Sequence, residues 1–334
     1  MSSRIFSLFL LSLLAVGNAF AQHTYRTQSG IIITEEGDSL VRALEPFRGS
    51  ASGGTWYADA LNRYPRKVNN NKVRFYSMII PTACEYYLPE KASTWCSREK
   101  PVMENIRHHL SDSITWVDVY TTLDEHKQEN IYARTDHHWL PLGAFYAARE
   151  FARVADVPFK ELSAYRAMTI HGFVGSMSRF SRDARVKNSP ENFVYYVPCD
   201  STYSTTYIEH RVGKGGKVTG LSENFQGPFF IQHKQGSSSA YCTFMGGDYR
   251  TTHVKTQVAN SRRLLIIKDS YGNALPAFLF SSFEEIWVVD FRYFTRNIVR
   301  FIAEQGVTDV LFANNMQHAY ARGTATKIAA MLEK

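Results

Sequence analysis

Nowhere after residue 21 does this 334-residue chain hold an apolar run long enough to span a bilayer, which excludes a transmembrane helix there. A basic block is missing too. The 38 lysines and arginines are scattered among 31 acidic residues, and the net charge of +7 is modest. That removes the footprint of a nucleic-acid binder. It leaves a surface that tolerates anionic glycans or lipid headgroups, or one that is merely well solvated. Cysteine is scarce: the four residues have spacings that do not resemble a zinc site, and the helical histidine spacing of zinc hydrolases is absent. There is no internal repeat or low-complexity tract, and nothing calls for a cofactor.

What is present begins with an export signal. Arg4 supplies the positive start, Ile5 to Val16 is almost continuously apolar, and Ala19-Phe20-Ala21 gives a small-x-small cleavage site. The mature chain is expected to begin at Gln22, with no cysteine there to carry a lipid anchor. The expectation is a periplasmic or secreted protein, soluble once residues 1–21 are removed. In an oxidising compartment four cysteines permit two bridges and three pairings, of which local Cys84–Cys96 and Cys199–Cys242 are expected. Residues 22–334 are long enough to bury a core without them.

Along the chain, Ala58 to Tyr64 reads as a helix fragment before Pro65. Lys72 to Ile80 alternates and then runs apolar, a buried-strand pattern. Pro101 to Leu110 fits a helix, Ile114 to Tyr120 a short strand, and Pro141 opens another helix. From about 168 to 258 the chain is rich in Tyr, Thr, Ser and Gly, a β-hairpin composition with no clear helix. Strand–helix alternation then returns, with strands at Arg263–Lys268, Glu285–Asp290 and Thr308–Ala313. Helices are expected at Ala274–Phe280, Arg296–Glu304 and Thr324–Glu333. Strands separated by helices imply a mainly parallel sheet flanked by helices, an α/β sandwich with a β-rich insertion at about 168–258.

Two short strings carry the chemistry. Lys268-Asp269-Ser270-Tyr271-Gly272-Asn273 follows a buried strand, and in an open parallel sheet reactive groups gather beyond the strands' carboxyl ends. Backbone N–H groups after Ser270, those of Tyr271 and Gly272, would face an oxyanion there. Gly272 allows a tight turn. On position alone, a helix cap at Ser270 or Asn273 is the stronger explanation of the string. Thr135-Asp136-His137-His138-Trp139 precedes a helix, and an aspartate two residues before a histidine can hold Nδ1 and leave Nε2 to take a proton. Trp139 offers an apolar wall or a sugar-stacking face, or is core. Asp136, His137 and His138 as metal ligands is the weaker alternative, because adjacent histidines seldom bind one ion well. Asn314 and Asn315 directly follow a strand at the same sheet edge, as oxyanion donors or ordinary loop residues, and Arg292 lies there too, a candidate anion contact or a partner of Asp290 or Asp269. His108-His109 lies on a charged helix, and Gly246-Gly247-Asp248-Tyr249 is a tight turn without assigned chemistry.

Asp136-His137-His138-Trp139 spells the name-giving motif of the bacterial DHHW proteins. IIKDSYGNALPAFL from Ile266 and EEIWVVDFRYF from Glu284 resemble that family's C-terminal half. The resemblance extends loosely from Val73 to Gln317. The family belongs with SGNH-type hydrolases and is similar to the periplasmic alginate O-acetyltransferases, whose Asp-x-His-Trp motif precedes a Gly-Asp-Ser-like string. The resemblance implies Ser270 as nucleophile, His138 as base and Asp136 as orienting acid, with His137 at the variable position. Lys268 stands where that string usually has glycine. It also implies a carbohydrate polymer as acceptor and a membrane-bound partner that exports acyl groups.

The expected function is therefore serine-dependent acyl transfer, O-acetylating an envelope or extracellular polysaccharide. The alternatives are an acetylesterase using the same triad, or a non-catalytic glycan-binding protein on a hydrolase fold. The enzyme readings require Ser270 Oγ within roughly 2.6–3.2 Å of His138 Nε2, with Asp136 on the other nitrogen.

Overall fold

In a computed structural model, which describes residues 23–36, 40–200 and 202–334, three short antiparallel strands come first: β1 (His23–Arg26), β2 (Ile32–Glu36) and β3 (Leu40–Leu44). The export signal expected over residues 1–21 lies outside the described residues. Next come β4 (Arg74–Ile80), β5 (Ile114–Trp116) and an antiparallel pair, β6 (Tyr165–Phe173) with β7 (Glu191–Pro198). They are followed by β8 (Tyr203–Val212), β9 (Val218–Leu221), β10 (Phe225–Gln226) and β11 (Arg250–Thr256). The last three are β12 (Arg263–Lys268), β13 (Glu285–Asp290) and β14 (Asp309–Asn315).

The central sheet has the order β10-β8-β11-β13-β12-β14-β4-β5, with β9 on β8. The five strands from β13 to β5 are parallel, and the others are antiparallel. Strands β12 and β14 lie in the middle, and Leu264 to Ile267 and Val310 to Ala313 are fully buried. That is why both read as continuous apolar runs. Helices cover both faces. Tyr64, on the helix Thr55–Val68, packs on Phe312, whereas Phe151, on the helix Pro141–Ala155, packs on Tyr76. Tyr76 is the register partner of Leu311, the neighbour of Phe312, so the two contacts fall on opposite faces. The α/β architecture read from the sequence is the one observed.

Several elements differ from expectation. The helix at Thr55 runs through Pro65 to Val68, because buried Tyr57, Leu61 and Tyr64 hold it while the proline removes one N–H near its end. The strand expected to reach Tyr120 stops at Trp116. Asp118 caps a helix, Val119–Glu125, by accepting the Thr121 N–H. The β-rich stretch divides between two sheets: β6 and β7 pair by themselves, while β8 to β11 extend the central sheet. It also holds two short helices, Ser176–Ser181 and Ala184–Lys187. The expected bridges are not formed. Cys84 and Cys96 are buried free thiols with sulfurs 2.9 Å apart, and Cys199, just beyond β7, and Cys242, between β10 and β11, are free as well. No helix of the described residues is long and apolar enough to cross a membrane.

The amino ends of the central strands are tied by Asp309. Its carboxylate is fully buried and takes two bonds from Arg262 (2.8 and 2.6 Å), one from the Thr308 hydroxyl (2.6 Å) and an ion pair from Arg74 (3.2 Å). Asp309→Ala leaves the Arg262 guanidinium, 14% exposed, without its charge partner. The expected cost is about 3–5 kcal/mol, read as a lower urea midpoint at unchanged slope. A loss below about 1 kcal/mol would show that the pair is dispensable.

Candidate active site

Ser270 stands one residue beyond Asp269, at the carboxyl end of β12. The segment after it, Ser270–Phe278, forms tight 3-10 turns where an α-helix was expected from Ala274, and it carries Pro276 inside. Asp269 is fully buried. One oxygen accepts the Tyr271 N–H (2.9 Å) and the other the Asn315 N–H (2.8 Å), which fastens the end of β12 to the end of β14. Gly272 serves close packing, since a Cβ there would stand 2.5 Å from Lys268 Cβ.

The Asp136-His137-His138 loop is closed by a bridge between Tyr132 and Trp139 and reaches the same edge. His138 Nε2 lies 2.8 Å from Ser270 Oγ, and His138 Nδ1 lies 2.5 Å from Asp136 Oδ1. Asp136 also accepts the His138 N–H (3.0 Å) and the Ser176 N–H (2.7 Å). Burial opposes its ionisation, but the facing His138 and these bonds prevail and hold the carboxyl far below the usual range. The His138 ring stacks on Tyr241 with centroids 3.9 Å apart. The three groups that the sequence placed in two distant strings therefore form one chain of hydrogen bonds.

The supporting residues were not foreseen. Gly175 lies against Asp136 so tightly that a Cβ would stand 2.3 Å from Oδ2. Ser176 donates its N–H to Asp136 and bonds His137 Nδ1 through its hydroxyl (2.7 Å). The sequence signal was a Gly-Ser pair ahead of a short helix, with nothing to say which loop it would meet. The Tyr271 hydroxyl donates to the His137 carbonyl. Burial first, and then the neighbouring His138, push His137 down to about 3. Asp136, His137 and His138 lie close enough to share an ion. However, Asp136 and His138 Nδ1 face each other, His138 Nε2 faces Ser270, and Ser176 holds His137 Nδ1.

Other candidates take different places. Trp139 is fully buried, and its indole N–H donates to the Tyr271 carbonyl (2.9 Å) and the Tyr241 hydroxyl (3.1 Å). It is a core residue that fixes the Ser270 turn, so the sugar-stacking reading fails. Asn314 is fully buried and accepts from the Tyr57 hydroxyl (2.7 Å). The Tyr271 N–H and the Gly272 N–H (3.0 Å) both bond Asp269, so neither faces an oxyanion. Arg292 makes two bonds to Asp290 (2.8 and 2.6 Å) and an ion pair with Asp248 (2.9 Å). Lys268, also buried, pairs with the same two carboxylates, at 2.9 and 3.0 Å. Two cations thus balance two anions beneath Ser270, and the turn without assigned chemistry supplies Asp248.

Ser270 opens into a cavity of about 400 Å³ lined also by Glu45, His137, Phe180, Arg292 and Asn315. The Asn315 amide touches Asp269 only at 3.4 Å, and the Ser270 N–H has no hydrogen-bond partner among the described residues.

The pattern that defines the DHHW protein family matches residues 35–289. A crystal structure of a DHHW family protein from Eubacterium siraeum DSM 15702 is 38% identical, with a TM-score of 0.82, over 92% of this chain and 97% of that one. Bacillus cereus PatB1 is 18% identical, with a TM-score of 0.66, over 87% of this chain and 98% of that one. A second PatB1 structure, which carries a sulfonyl adduct, is 17% identical over 87% and 96%, again at 0.66. At those identities PatB1 shares the fold. No match was found among curated proteins.

A pH prediction follows from His137. Its folded value near 3 lies below the ordinary 6.5, so between those limits the unfolded chain binds a proton that the folded chain refuses. Its contribution to stability is complete above pH 6.5 and is lost as pH falls toward 3. His137→Gln should flatten the dependence of unfolding free energy on pH in the upper part of that window, above the carboxylate range. An equal slope in both chains would show that His137 titrates normally.

Proposed function

This chain belongs to the DHHW protein family, and from that premise and the Asp136–His138–Ser270 chain of hydrogen bonds we propose that it is an exported serine-dependent acyltransferase that O-acetylates a polysaccharide. The observation that carries the reading is His138 Nε2 at 2.8 Å from Ser270 Oγ, with Asp136 on the other ring nitrogen.

In the first step His138 takes the Ser270 proton as Oγ attacks the carbonyl carbon of an acetyl ester. The Oγ–C bond forms, the tetrahedral oxyanion collapses, and the leaving alcohol departs with the proton from His138. In the second step a glycan hydroxyl gives its proton to His138, attacks the acetyl-serine and frees Oγ, which regains that proton. Asp136 stays ionised throughout and stabilises the imidazolium in one orientation. The Ser270 N–H and the Asn315 side-chain amide are the donors assigned to the oxyanion, in place of the Tyr271 and Gly272 N–H groups. The acetyl-export partner belongs to this reading, as the source of the donor ester. So does the leader at residues 1–21, which would bring the chain to its glycan.

The test is acetyl release from a chromogenic ester by the mature chain and by Ser270→Ala, with and without candidate glycans. Wild type should release acetyl and leave it on the glycan by mass spectrometry, while Ser270→Ala should lose about 10³-fold or more in kcat. Ser270-dependent release to water alone would make the protein an esterase. A sulfonyl fluoride should add one sulfonyl group to wild type, with loss of fluoride, and none to Ser270→Ala. Equal rates and equal labelling in both chains would end the enzyme reading.

A further inference from the structure

The helix Ser176–Ser181, which grips Asp136 at its start, presents Arg179 and Phe180 to solvent at its end. The Arg179 guanidinium lies 5.3 Å from the Phe180 ring centre. Phe180 borders two spaces: the Ser270 cavity, and a larger cleft of about 880 Å³ between the end of β1, the turn after it and residues 179–183.

That second cleft is basic. Arg26, Arg179 and Arg182 line it, all three exposed, and none forms an ion pair with a carboxylate among the described residues. Its acid, Asp183, is already engaged by the Tyr25 hydroxyl (2.6 Å) and by Arg185 (3.4 Å). Arg185 makes a useful contrast on the same helix pair, since it is matched by both Asp183 and Glu35 (3.1 Å). The floor is firm: Met177, Val186, Ile31 and Ile33 form a small apolar core beneath it. Three unmatched guanidinium groups on a rigid floor suit carboxylate or phosphate, which they bind in a planar, two-point geometry. The Ser270 cavity lacks that bias, because its Arg292 is already neutralised by Asp290 and Asp248, and Glu45 faces the charge of His318 and His138 while burial pushes its carboxyl up.

We propose that the Arg26–Arg179–Arg182 cleft binds the carboxylate or phosphate groups of an anionic acceptor glycan, whose chain crosses Phe180 to place a hydroxyl at Ser270. The inference rests on the acyl-transfer reading of Ser270 and adds the substrate class. The Ser270 cavity offers only the already paired Arg292 guanidinium, so charge recognition and acetylation occur in separate spaces.

Calorimetry on the mature Ser270→Ala chain tests it with three probes: a galacturonate hexamer, its carboxyl-reduced neutral counterpart and a glycerol-phosphate oligomer. At low salt at least one charged oligomer should bind about tenfold tighter than the neutral one, and the preference should fade toward ~0.5 M salt. Whichever charged oligomer binds better identifies carboxylate or phosphate as the group. Replacing all three arginines by glutamine should abolish the preference, and replacing them by lysine should keep only part of it, the charge without the two-point geometry. A charged-to-neutral ratio near one, or a preference that survives the triple glutamine change, overturns the proposal. Binding to phosphatidylglycerol vesicles through the three arginines, without oligomer preference, overturns it in favour of a lipid surface. Binding needs no nucleophile, and acetyl release from a small ester needs no polymer. The two readings therefore fail separately.

Discussion

A fully buried carboxylate must be surrounded by donors, and at Asp269 those donors are the parts of the site. Its oxygens hold the Tyr271 and Asn315 N–H groups and draw both Asn314 and Asn315 amides toward them (3.4 Å each). Because Tyr271 follows β12 and Asn315 ends β14, one side chain sets the position of Ser270 against the neighbouring strand. The same side chain takes the Tyr271 N–H, and the Asp269 backbone carbonyl takes the Gly272 N–H, the two groups that a sequence argument assigns to an oxyanion. Capping and oxyanion binding compete for the same donors, and here the cap has them.

The central strands were legible because both their faces are covered, so that burial writes itself as an unbroken apolar run. The Asp136–His138–Ser270 chain of hydrogen bonds was legible for a different reason: its members occur in two compact strings whose order matches a known family. What escaped was contact made across the fold. Gly175 is an ordinary loop glycine until Asp136 is packed on it, 39 residues away in sequence, and Ser176 is an ordinary helix start until its N–H meets that carboxylate. Trp139 failed as a sugar platform because an aromatic beside a catalytic motif reads the same whether it faces ligand or core. Its indole N–H found a buried carbonyl, the usual fate of a buried tryptophan.

The stretch from 203 to 256 shows how composition can mislead about independence. Rich in β-formers and turns, it reads as part of an insertion, yet β11 lies along β13 and satisfies that strand's outer row of backbone groups. It also delivers Tyr241 to the His138 ring and Asp248 to Lys268. The parallel sheet and its antiparallel extension therefore share the site between them. The three-stranded sheet at the start of the chain contributes in another way, through the small core it forms with the helix that buttresses Asp136.

Asp136 and His138 are two residues apart, joined by both a side-chain bond and a backbone bond. Carboxylate and imidazole are thus one mechanical part, and a displacement of their loop carries them together without changing the link between them. Only one distance, from the imidazole to the serine, is left free to vary. Three groups drawn from three separate loops would have two such gaps to keep in register, whereas these three, drawn from two, have one.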